Sequence, residues 1–215
     1  MQVYLFNYIE MLAFVASIFS YKRIKYFPLK KFPYFLSLII LVEFTAKYIG
    51  HKLGNNAILY NFFSTIEFTF YSLLYREYFE NKRNKKISEI LIVVFFLFFL
   101  INSIFFQGFF DFQNYTFVVQ SFFIILLIFF YLFESFESIQ NVNLFSEPIF
   151  WISTGLLLFH LGDFVDNLLM NYFLSHEKSE ATRIFELVNN NLIIVLYSCF
   201  TIAFLICRRP KQTLV

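Results

Sequence analysis

Cysteine is scarce in this sequence. The 215 residues include two cysteines, Cys199 and Cys207, and both fall on one predicted helix near its C-terminal end. Eight residues of helix separate their Cα atoms by about 12 Å along the axis. A disulfide requires Cα atoms within about 7 Å of each other. A disulfide between these two residues is therefore excluded, and no metal-binding pair is predicted at them.

Charge is scarce as well. Asp, Glu, Lys and Arg make up 15% of the chain, whereas soluble domains have about 25%. The formal net charge of +2 gives no general attraction to nucleic acid. Hydrophobic residues make up 59% instead, and phenylalanine alone occurs 36 times. A soluble protein of this size exposes too much surface to hide so much apolar area, so the lipid bilayer is the expected surrounding.

Seven apolar segments are each long enough to cross a hydrocarbon core of about 30 Å, which takes about 20 helical residues. They run approximately from Val3 to Tyr21, Tyr34 to Leu53, Ala57 to Phe79, Ile87 to Phe106, Tyr115 to Phe136, Ile149 to Phe173, and Ile184 to Cys207. The connections are short and polar. The sequence therefore predicts an all-α, polytopic membrane protein in which residues 1–215 form a single seven-helix transmembrane domain.

Lys and Arg are distributed unequally between the two sides that seven helices define. Thirteen lie on the side of the first and third loops and the tail: Lys22, Arg23, Lys25, Lys30, Lys31, Arg76, Lys82, Arg83, Lys85, Lys86, Arg208, Arg209 and Lys211. Only Lys52, Lys178 and Arg183 lie on the other side. Because cytoplasmic loops retain positive charge, the N-terminus is predicted to be outside and the C-terminus in the cytoplasm. The Phe, Ile, Asn and Lys bias is typical of an AT-rich bacterial genome, which points to a bacterial inner membrane.

Polar side chains interrupt several of the predicted helices. Those that the predicted orientation places in the middle or the outer half of the membrane include Glu43, Lys47, Asn61, Glu67, His160, Asp163, Asn167 and Asn190. A charge at mid-bilayer costs roughly 2.5–3.5 kcal/mol on insertion scales, so such groups usually face other helices or a wet cavity. Helical periodicity places Glu43 and Lys47 on one stripe, and His160, Asp163 and Asn167 on one face.

These faces predict a polar, ligand-binding cavity that is open to the outside. The second, third, sixth and seventh helices are expected to line it, with a contribution from Asn7 and Glu10 of the first. The fourth and fifth helices are mostly Phe, Ile and Leu and are expected to face lipid. The alternative is a structural role for the same residues, because Glu43 and Lys47 have the i, i+4 order of an ion pair and asparagines hydrogen-bond across helices.

The spacing Glu43-xxx-Lys47-xxx-His51 resembles the Glu-xxx-Ser-xxx-His motif of seven-helix ceramidase and progestin-receptor-like hydrolases. The resemblance would imply a metal-dependent intramembrane lipid hydrolase, but it covers one helix, and Lys47 replaces the serine. Zinc catalysis usually requires three protein ligands, and the remaining histidines are His160 and His176. No Ser-His-Asp arrangement is visible in the sequence either. We therefore assign no catalytic residue, metal or cofactor, and favour a non-enzymatic role.

A second resemblance extends thinly over the chain. It is carried by Pro148 to Phe159, by Asn190 to Tyr197 and by Tyr60 to Glu67. These stretches resemble a group of uncharacterised small multi-pass membrane proteins of Bacteroidetes-type bacteria, which often accompany sensor histidine kinases. The resemblance implies no catalytic residues.

The preferred interpretation is a sensor or accessory subunit that binds a ligand in the outer-leaflet cavity. It would signal to a cytoplasmic protein through the basic first and third loops and the tail. A channel or pore-forming effector of a bacterial defence system is the alternative, and it would conduct through polar residues as an oligomer. The metal-dependent lipid hydrolase is the third interpretation.

Overall fold

The computed structural model describes residues 5–24, 27–138, 144–176 and 178–207, and every regular element in these ranges is helical. Among them are seven long helices: α1 (Leu5–Ser20), α2 (Phe32–Leu53), α3 (Ala57–Tyr78), α4 (Lys82–Ile101), α5 (Asn114–Ser138), α6 (Pro148–His176) and α7 (Lys178–Ile206). A single helical turn, Phe27–Lys30, precedes α2. Five π-helical residues, Asn102–Phe106, extend α4.

The seven predicted helices are present, but two begin earlier than the apolar pattern indicates. α4 begins at Lys82 instead of Ile87, and α7 begins at Lys178 instead of Ile184. At α4 the reason is an N-cap, since the Asn81 side chain accepts a hydrogen bond from the Arg83 backbone N–H at 2.9 Å. The apolar pattern marks the part of a helix that suits lipid, and both helices continue beyond that part into polar residues.

Five of the helices are long and apolar enough to cross a membrane. Their candidate spans are Pro28–Leu53, Lys82–Phe106, Asn114–Glu137, Pro148–Leu169 and Glu186–Ile206. Large apolar side chains face outward along them, among them Phe105, which is 73% exposed, and Phe133, which is 69% exposed. An exterior of this kind is stable in lipid and not in water, so the chain is a multi-helix membrane protein. The Lys25 and tail positions used for orientation lie outside the described residues.

One end of the bundle is filled by aromatic rings. Seven rings that are at most 1% exposed form this aromatic layer, which consists of Phe32, Phe68, Tyr71, Tyr75, Phe79, Phe200 and Phe204. Phe32, at the start of α2, lies edge-on to Phe200 and Phe204 of α7, with ring centroids 5.1 and 5.4 Å apart. The layer extends from the middle of α3 to its end, and it includes the start of α2 and the end of α7. Such edge-to-face pairs add to the stabilisation from burial.

The first and last of the seven helices pack against each other. Ser20, at the end of α1, donates a hydrogen bond from its hydroxyl to the carbonyl oxygen of Phe204 in α7 at 2.6 Å. Ala13, Ala16 and Ser17 on the same side of α1 are buried. Small side chains allow two helix backbones to approach closely, which is the usual basis of helix association in lipid.

α6 and α7 pack through two glycines of α6, Gly155 and Gly162. A Cβ atom added at Gly155 would lie 2.8 Å from the Cβ of Cys199 and 3.2 Å from the carbonyl oxygen of Leu196. At Gly162 an added Cβ would meet only the end of the Leu192 side chain. The two glycines lie seven residues apart and thus on one face of α6. Gly155, which faces atoms fixed to the α7 backbone, limits how closely the two helices approach.

α5 packs inside the bundle on one side, which the predicted lipid-facing helix does not include. Its residues Gln120, Ser121, Ile124, Leu127 and Ile128 are at most 1% exposed, and they pack inside the bundle. The apolar composition of α5 hides this arrangement, because a helix between protein neighbours and a helix in lipid both require apolar side chains. Phe129, Phe133 and Phe136 on the other side of α5 are exposed, so this helix faces outward on one side and protein on the other. α4 buries only Phe95 and Phe99 among its apolar residues.

Candidate functional site

A cavity of about 540 Å³ lies inside the bundle, and side chains of α1, α2, α3, α5, α6 and α7 line it. This volume is in the range of about 300–1,000 Å³ that is usual for small-molecule sites. Asn56 and Phe112, which precede α3 and α5, line one end of the cavity. Glu186 also lines it and is exposed, so the cavity reaches the surface there. At the opposite end, the His160 ring lies 6.5 Å from the ring of Tyr71 in the aromatic layer.

Five acidic side chains line the cavity, each from a different helix. They are Glu10 of α1, Glu43 of α2, Glu67 of α3, Asp163 of α6 and Glu186 of α7. The lining residues in the described ranges include no Lys or Arg. Because like charges in a low-dielectric space repel one another, this arrangement favours a ligand that carries or shares positive charge.

The walls between the acidic groups are aromatic. The rings that line the cavity belong to Phe6, Tyr60, Phe63, Phe112, Phe117, Phe159 and Tyr197. Aromatic faces provide apolar surface for the body of a ligand, and their quadrupoles attract cations. The Tyr60 hydroxyl also lies 3.5 Å from Oε2 of Glu43.

His160 and three polar side chains near it form a hydrogen-bonded group. The Ser121 hydroxyl lies 2.7 Å from Oδ2 of Asp163 and 3.0 Å from Nδ1 of His160. Asn167 donates from Nδ2 to Oδ1 of Asp163 at 2.8 Å. These bonds join α5 to α6 and hold the Asp163 carboxylate and the His160 ring in fixed orientations beside the cavity.

A second polar pair joins α3 to α5. Gln120 donates from Nε2 to Oε2 of Glu67 at 2.8 Å. Gln120 is 1% exposed, whereas Glu67 is half-buried and lines the same cavity. Oε2 of Glu67 is therefore oriented by the protein, and Oε1 has no hydrogen-bond partner among the described residues.

Ser121, His160 and Asp163 do not form a catalytic triad, although the three residue types meet here. In such a triad the histidine accepts the serine proton at Nε2 and donates from Nδ1 to the aspartate. Here both His160 Nδ1 and Asp163 contact the serine hydroxyl. Ser121 is also fully buried and does not line the cavity. The arrangement orients side chains and offers no nucleophile.

No group of three or more His, Cys, Asp or Glu side chains in the described ranges has the arrangement that holds a metal ion. His51, the last residue of the hydrolase-like spacing, is exposed, while His160 is 1% exposed. The side chain of His176, the third histidine, lies outside the described side chains. The spacing on α2 therefore assembles no zinc shell with the described residues.

The cavity brings together most of the residues that the sequence predicts to line it. Glu43, Glu67, His160, Asp163 and Asn167 all line it.

Lys47 lies in a small recess beside the cavity, with Glu10 and Glu43. Its ammonium group donates to Oδ1 of Asn7 at 2.9 Å and lies 5.1 Å above the ring of Phe6. It makes no ion pair with Glu43, whose pairing with Lys47 was the structural alternative.

Asn61 and Asn190 do not line the cavity. Asn61 is fully buried and donates from Nδ2 to the carbonyl oxygens of Phe109 and Asp111 at 3.1 and 2.8 Å. Its Oδ1 accepts the Gln113 backbone N–H at 3.3 Å, so Asn61 anchors the connection between α4 and α5. Asn190 is half-buried, and its neighbour Asn189 lines the cavity in its place.

Sequence reasoning missed the contribution of α5. The adjacent pair Gln120 and Ser121 is the only polar interruption between Phe117 and Tyr131. This pair is a usable signal, because an isolated amide and hydroxyl in the middle of an apolar span seek partners on another helix. Tyr60 and Tyr197 were missed because tyrosine is common in membrane helices and gives no specific signal.

No protein-family model, curated protein or solved structure matches the chain. The resemblance to small membrane proteins that accompany sensor kinases therefore stays a prediction. The functional proposal depends on the cavity and its hydrogen bonds.

Proposed function

We propose that the protein is a non-enzymatic receptor or accessory subunit of a bacterial inner membrane, which binds a small ligand in the central cavity and signals to a cytoplasmic partner. One observation carries the proposal: five acidic side chains on five helices line a single cavity. A ligand that bridges several helices has different affinities for different helix arrangements. Such a difference is what allows a ligand to shift a conformational equilibrium.

The proposal includes seven membrane spans, with α1 and α3 added to the five apolar helices. α1 supports this count, because Asn7 and Glu10 face inward while Leu5, Leu12 and Phe19 are more than half exposed. The outward side of α3 is apolar in the same way, with Phe62 and Ile66 exposed by 46% and 49%. The distribution of Lys and Arg supports an N-terminus outside and a C-terminus in the cytoplasm.

We expect cysteines placed before and after α3, at the end of α2 and the start of α4, to react from opposite sides of the membrane. Lys52→Cys and Lys82→Cys, each in a chain with the native cysteines replaced by alanine, are labelled in intact cells with a membrane-impermeant maleimide. Lys52→Cys should react in intact cells, and Lys82→Cys only after the cells are broken. Reaction of both from the same side would show that α3 does not span, and the reverse pattern would contradict the orientation.

α6 connects the cavity to the end of the bundle where the basic loops lie. It carries His160 and Asp163 at the cavity and Trp151 twelve residues before Asp163, about 18 Å along the helix. Trp151 is the only tryptophan, and its Nε1 donates to the carbonyl oxygen of Phe145 at 3.0 Å. A tilt or shift of α6 on ligand binding would therefore reach this end and change the surroundings of Trp151.

We expect a ligand of the cavity to change the fluorescence of Trp151. The purified protein is titrated in lipid nanodiscs with defined amines, amino acids, sugars and short fatty acids, and the emission maximum is measured. A compound that shifts the emission should lose this effect in Asp163→Asn and keep it in Glu137→Gln, because Glu137 is exposed at the far end of α5. Binding measured by calorimetry without any emission change would contradict transmission through α6.

The aromatic layer favours a receptor over a pore within one chain. An ion that crossed the bundle beyond the cavity would have to pass buried rings such as Phe32, Tyr75 and Phe204, which are at most 1% exposed. Tyr75 also holds this region closed by a hydrogen bond of 2.9 Å between its hydroxyl and that of Ser153. Single-channel conductance of the reconstituted protein, altered by Glu67→Gln, would instead favour the pore.

A further inference from the structure

The hydrogen bonds around Ser121 determine which nitrogen of His160 carries the proton. A carboxylate oxygen only accepts, so the Ser121 hydroxyl donates its single proton to Oδ2 of Asp163, 2.7 Å away. The contact of 3.0 Å between Ser121 Oγ and His160 Nδ1 then requires Nδ1 to donate. A neutral imidazole has one N–H, so Nε2 of His160 is left as an acceptor. Nε2 is buried and has no partner in the structure.

Asn167 and Gln120 both direct their side-chain N–H groups toward a carboxylate. Asn167 Nδ2 lies 2.9 Å from the carbonyl oxygen of Asp163 and 2.8 Å from its Oδ1, both of which accept. Gln120 Nε2 faces the Glu67 carboxylate at 2.8 Å. The amide oxygens, Asn167 Oδ1 and Gln120 Oε1, are then the remaining polar atoms. Both are buried and without partners.

Every buried, unpartnered polar atom on the described lining residues is therefore a hydrogen-bond acceptor. These atoms are Glu10 Oε1, Gln120 Oε1, His160 Nε2 and Asn167 Oδ1. A buried polar atom without a partner costs roughly 1–3 kcal/mol, and such atoms are normally satisfied by a ligand or by water. The protein directs its own donors toward the carboxylates and leaves these acceptors, all on residues that line the cavity, without a partner among the described residues.

We infer that the cavity binds a small organic cation that carries several N–H donors, of the primary ammonium or guanidinium class. The acceptors require donors, and the five acidic side chains require positive charge. The aromatic lining fits the same ligand, because ammonium and guanidinium groups are attracted to ring faces and the rings also cover an aliphatic stem. This inference rests on the proposed function, since it names the ligand of the same cavity.

Other ligand classes satisfy fewer of these features. A carboxylate or phosphate would add negative charge to a cavity whose described lining residues include no Lys or Arg. A quaternary ammonium ion would satisfy the aromatic walls but has no N–H to donate. A neutral polyol has donors but gains nothing from the acidic groups. Amines and guanidines both combine positive charge with several N–H donors.

The test is calorimetric titration of the full-length protein in nanodiscs. Spermidine provides only ammonium groups, and agmatine provides a guanidinium group together with one ammonium group. Tetramethylammonium, 1,4-butanediol and glutamate are the comparison compounds. We expect spermidine, agmatine or both to bind at least tenfold more tightly than each comparison compound. In Glu67→Gln the affinity for the cation should fall at least tenfold, because a charged hydrogen-bond acceptor is lost with little change of shape. Glu137→Gln should bind as the unmodified protein does.

The outcome distinguishes this inference from the proposed function. A cation concentration of about 10 mM detects binding free energies of only about 3 kcal/mol. If neither cation binds at this concentration to protein that melts cooperatively, the inference is wrong. It is also wrong if 1,4-butanediol or glutamate binds as tightly as the cations. If another compound shifts the Trp151 emission and Asp163→Asn abolishes this shift, the result supports the proposed receptor and contradicts the inference of a cationic ligand. Cation binding that leaves Trp151 unchanged would support the ligand class and contradict signalling.

Discussion

Asp163→Leu is expected to abolish ligand binding while the protein still inserts into the membrane. Asp163 places its carboxylate at the cavity through hydrogen bonds to Ser121 and Asn167, and leucine removes both its charge and its acceptor atoms. A loss of about 1.5–3 kcal/mol for a charged hydrogen bond corresponds to roughly 10- to 150-fold in affinity. The loss of affinity in Asp163→Leu should be larger, because Ser121 loses its hydrogen bond to the carboxylate and both Ser121 and His160 then reorient. Calorimetry with the ligand found by titration measures the loss.

Insertion should be maintained, because leucine is favoured at the centre of a membrane helix and aspartate is disfavoured by about 2.5–3.5 kcal/mol. Glu67→Leu is expected to give the same loss. Asp166→Leu is the matched control, since Asp166 is on the same helix but does not line the cavity. Full binding in both Asp163→Leu and Glu67→Leu, measured on membrane-extracted monodisperse protein, would show that the acidic groups have a structural role only.

Gly155→Ala should destabilise the bundle, and Gly155→Val should do so more strongly. The added Cβ would lie 2.8 Å from the Cβ of Cys199, an atom fixed to the α7 backbone, so α6 and α7 would have to move apart. Forced overpacking of this kind costs about 1–3 kcal/mol, which lowers the melting temperature of a protein of this size by roughly 2–12 °C. Thermal melting in detergent, followed by loss of the monodisperse peak, gives the measurement.

Gly162→Ala provides the comparison, because the three atoms nearest to its added methyl group all belong to the flexible Leu192 side chain. A rotamer change of Leu192 would relieve that contact at little cost. We therefore expect Gly162→Ala to melt within about 2 °C of the unmodified protein, which corresponds to less than about 1 kcal/mol. Equal destabilisation by the two alanine variants would contradict the assignment of the close helix contact to Gly155.

The positions of the helices were predictable from the sequence, because each apolar stretch has the length of a membrane span. The early starts of α4 and α7 were not predictable, since they depend on capping and on polar residues that form helix. At α4 the deciding contacts are Asn81 with Arg83, and Glu134 with the backbone N–H of Glu80 at 2.8 Å. The second contact comes from another helix, which local sequence patterns do not contain.

The cavity was predictable in part. Helical periodicity placed His160, Asp163 and Asn167 on one face, and the three residues line the cavity together. The same periodicity says nothing about which neighbouring helix faces them, so the contributions of Gln120 and Ser121 were not foreseen. It also placed Lys47 on the Glu43 stripe, although the Lys47 ammonium turns to Asn7 of α1. A side chain as long as lysine reaches several partners, and packing decides among them.

The pairing of α1 with α7 has a consequence for biosynthesis. The two residues joined by the Ser20–Phe204 hydrogen bond are 184 positions apart in sequence, and at about 5–20 residues per second a ribosome takes about 10–40 s to cover that interval. In the proposed seven-span arrangement, α1 lies in the membrane throughout that time with Lys47 of α2 available to Asn7, but without α7. We therefore expect α1 to stay near the insertion machinery or a membrane chaperone until α7 is released, so that depletion of that factor lowers the yield of inserted protein.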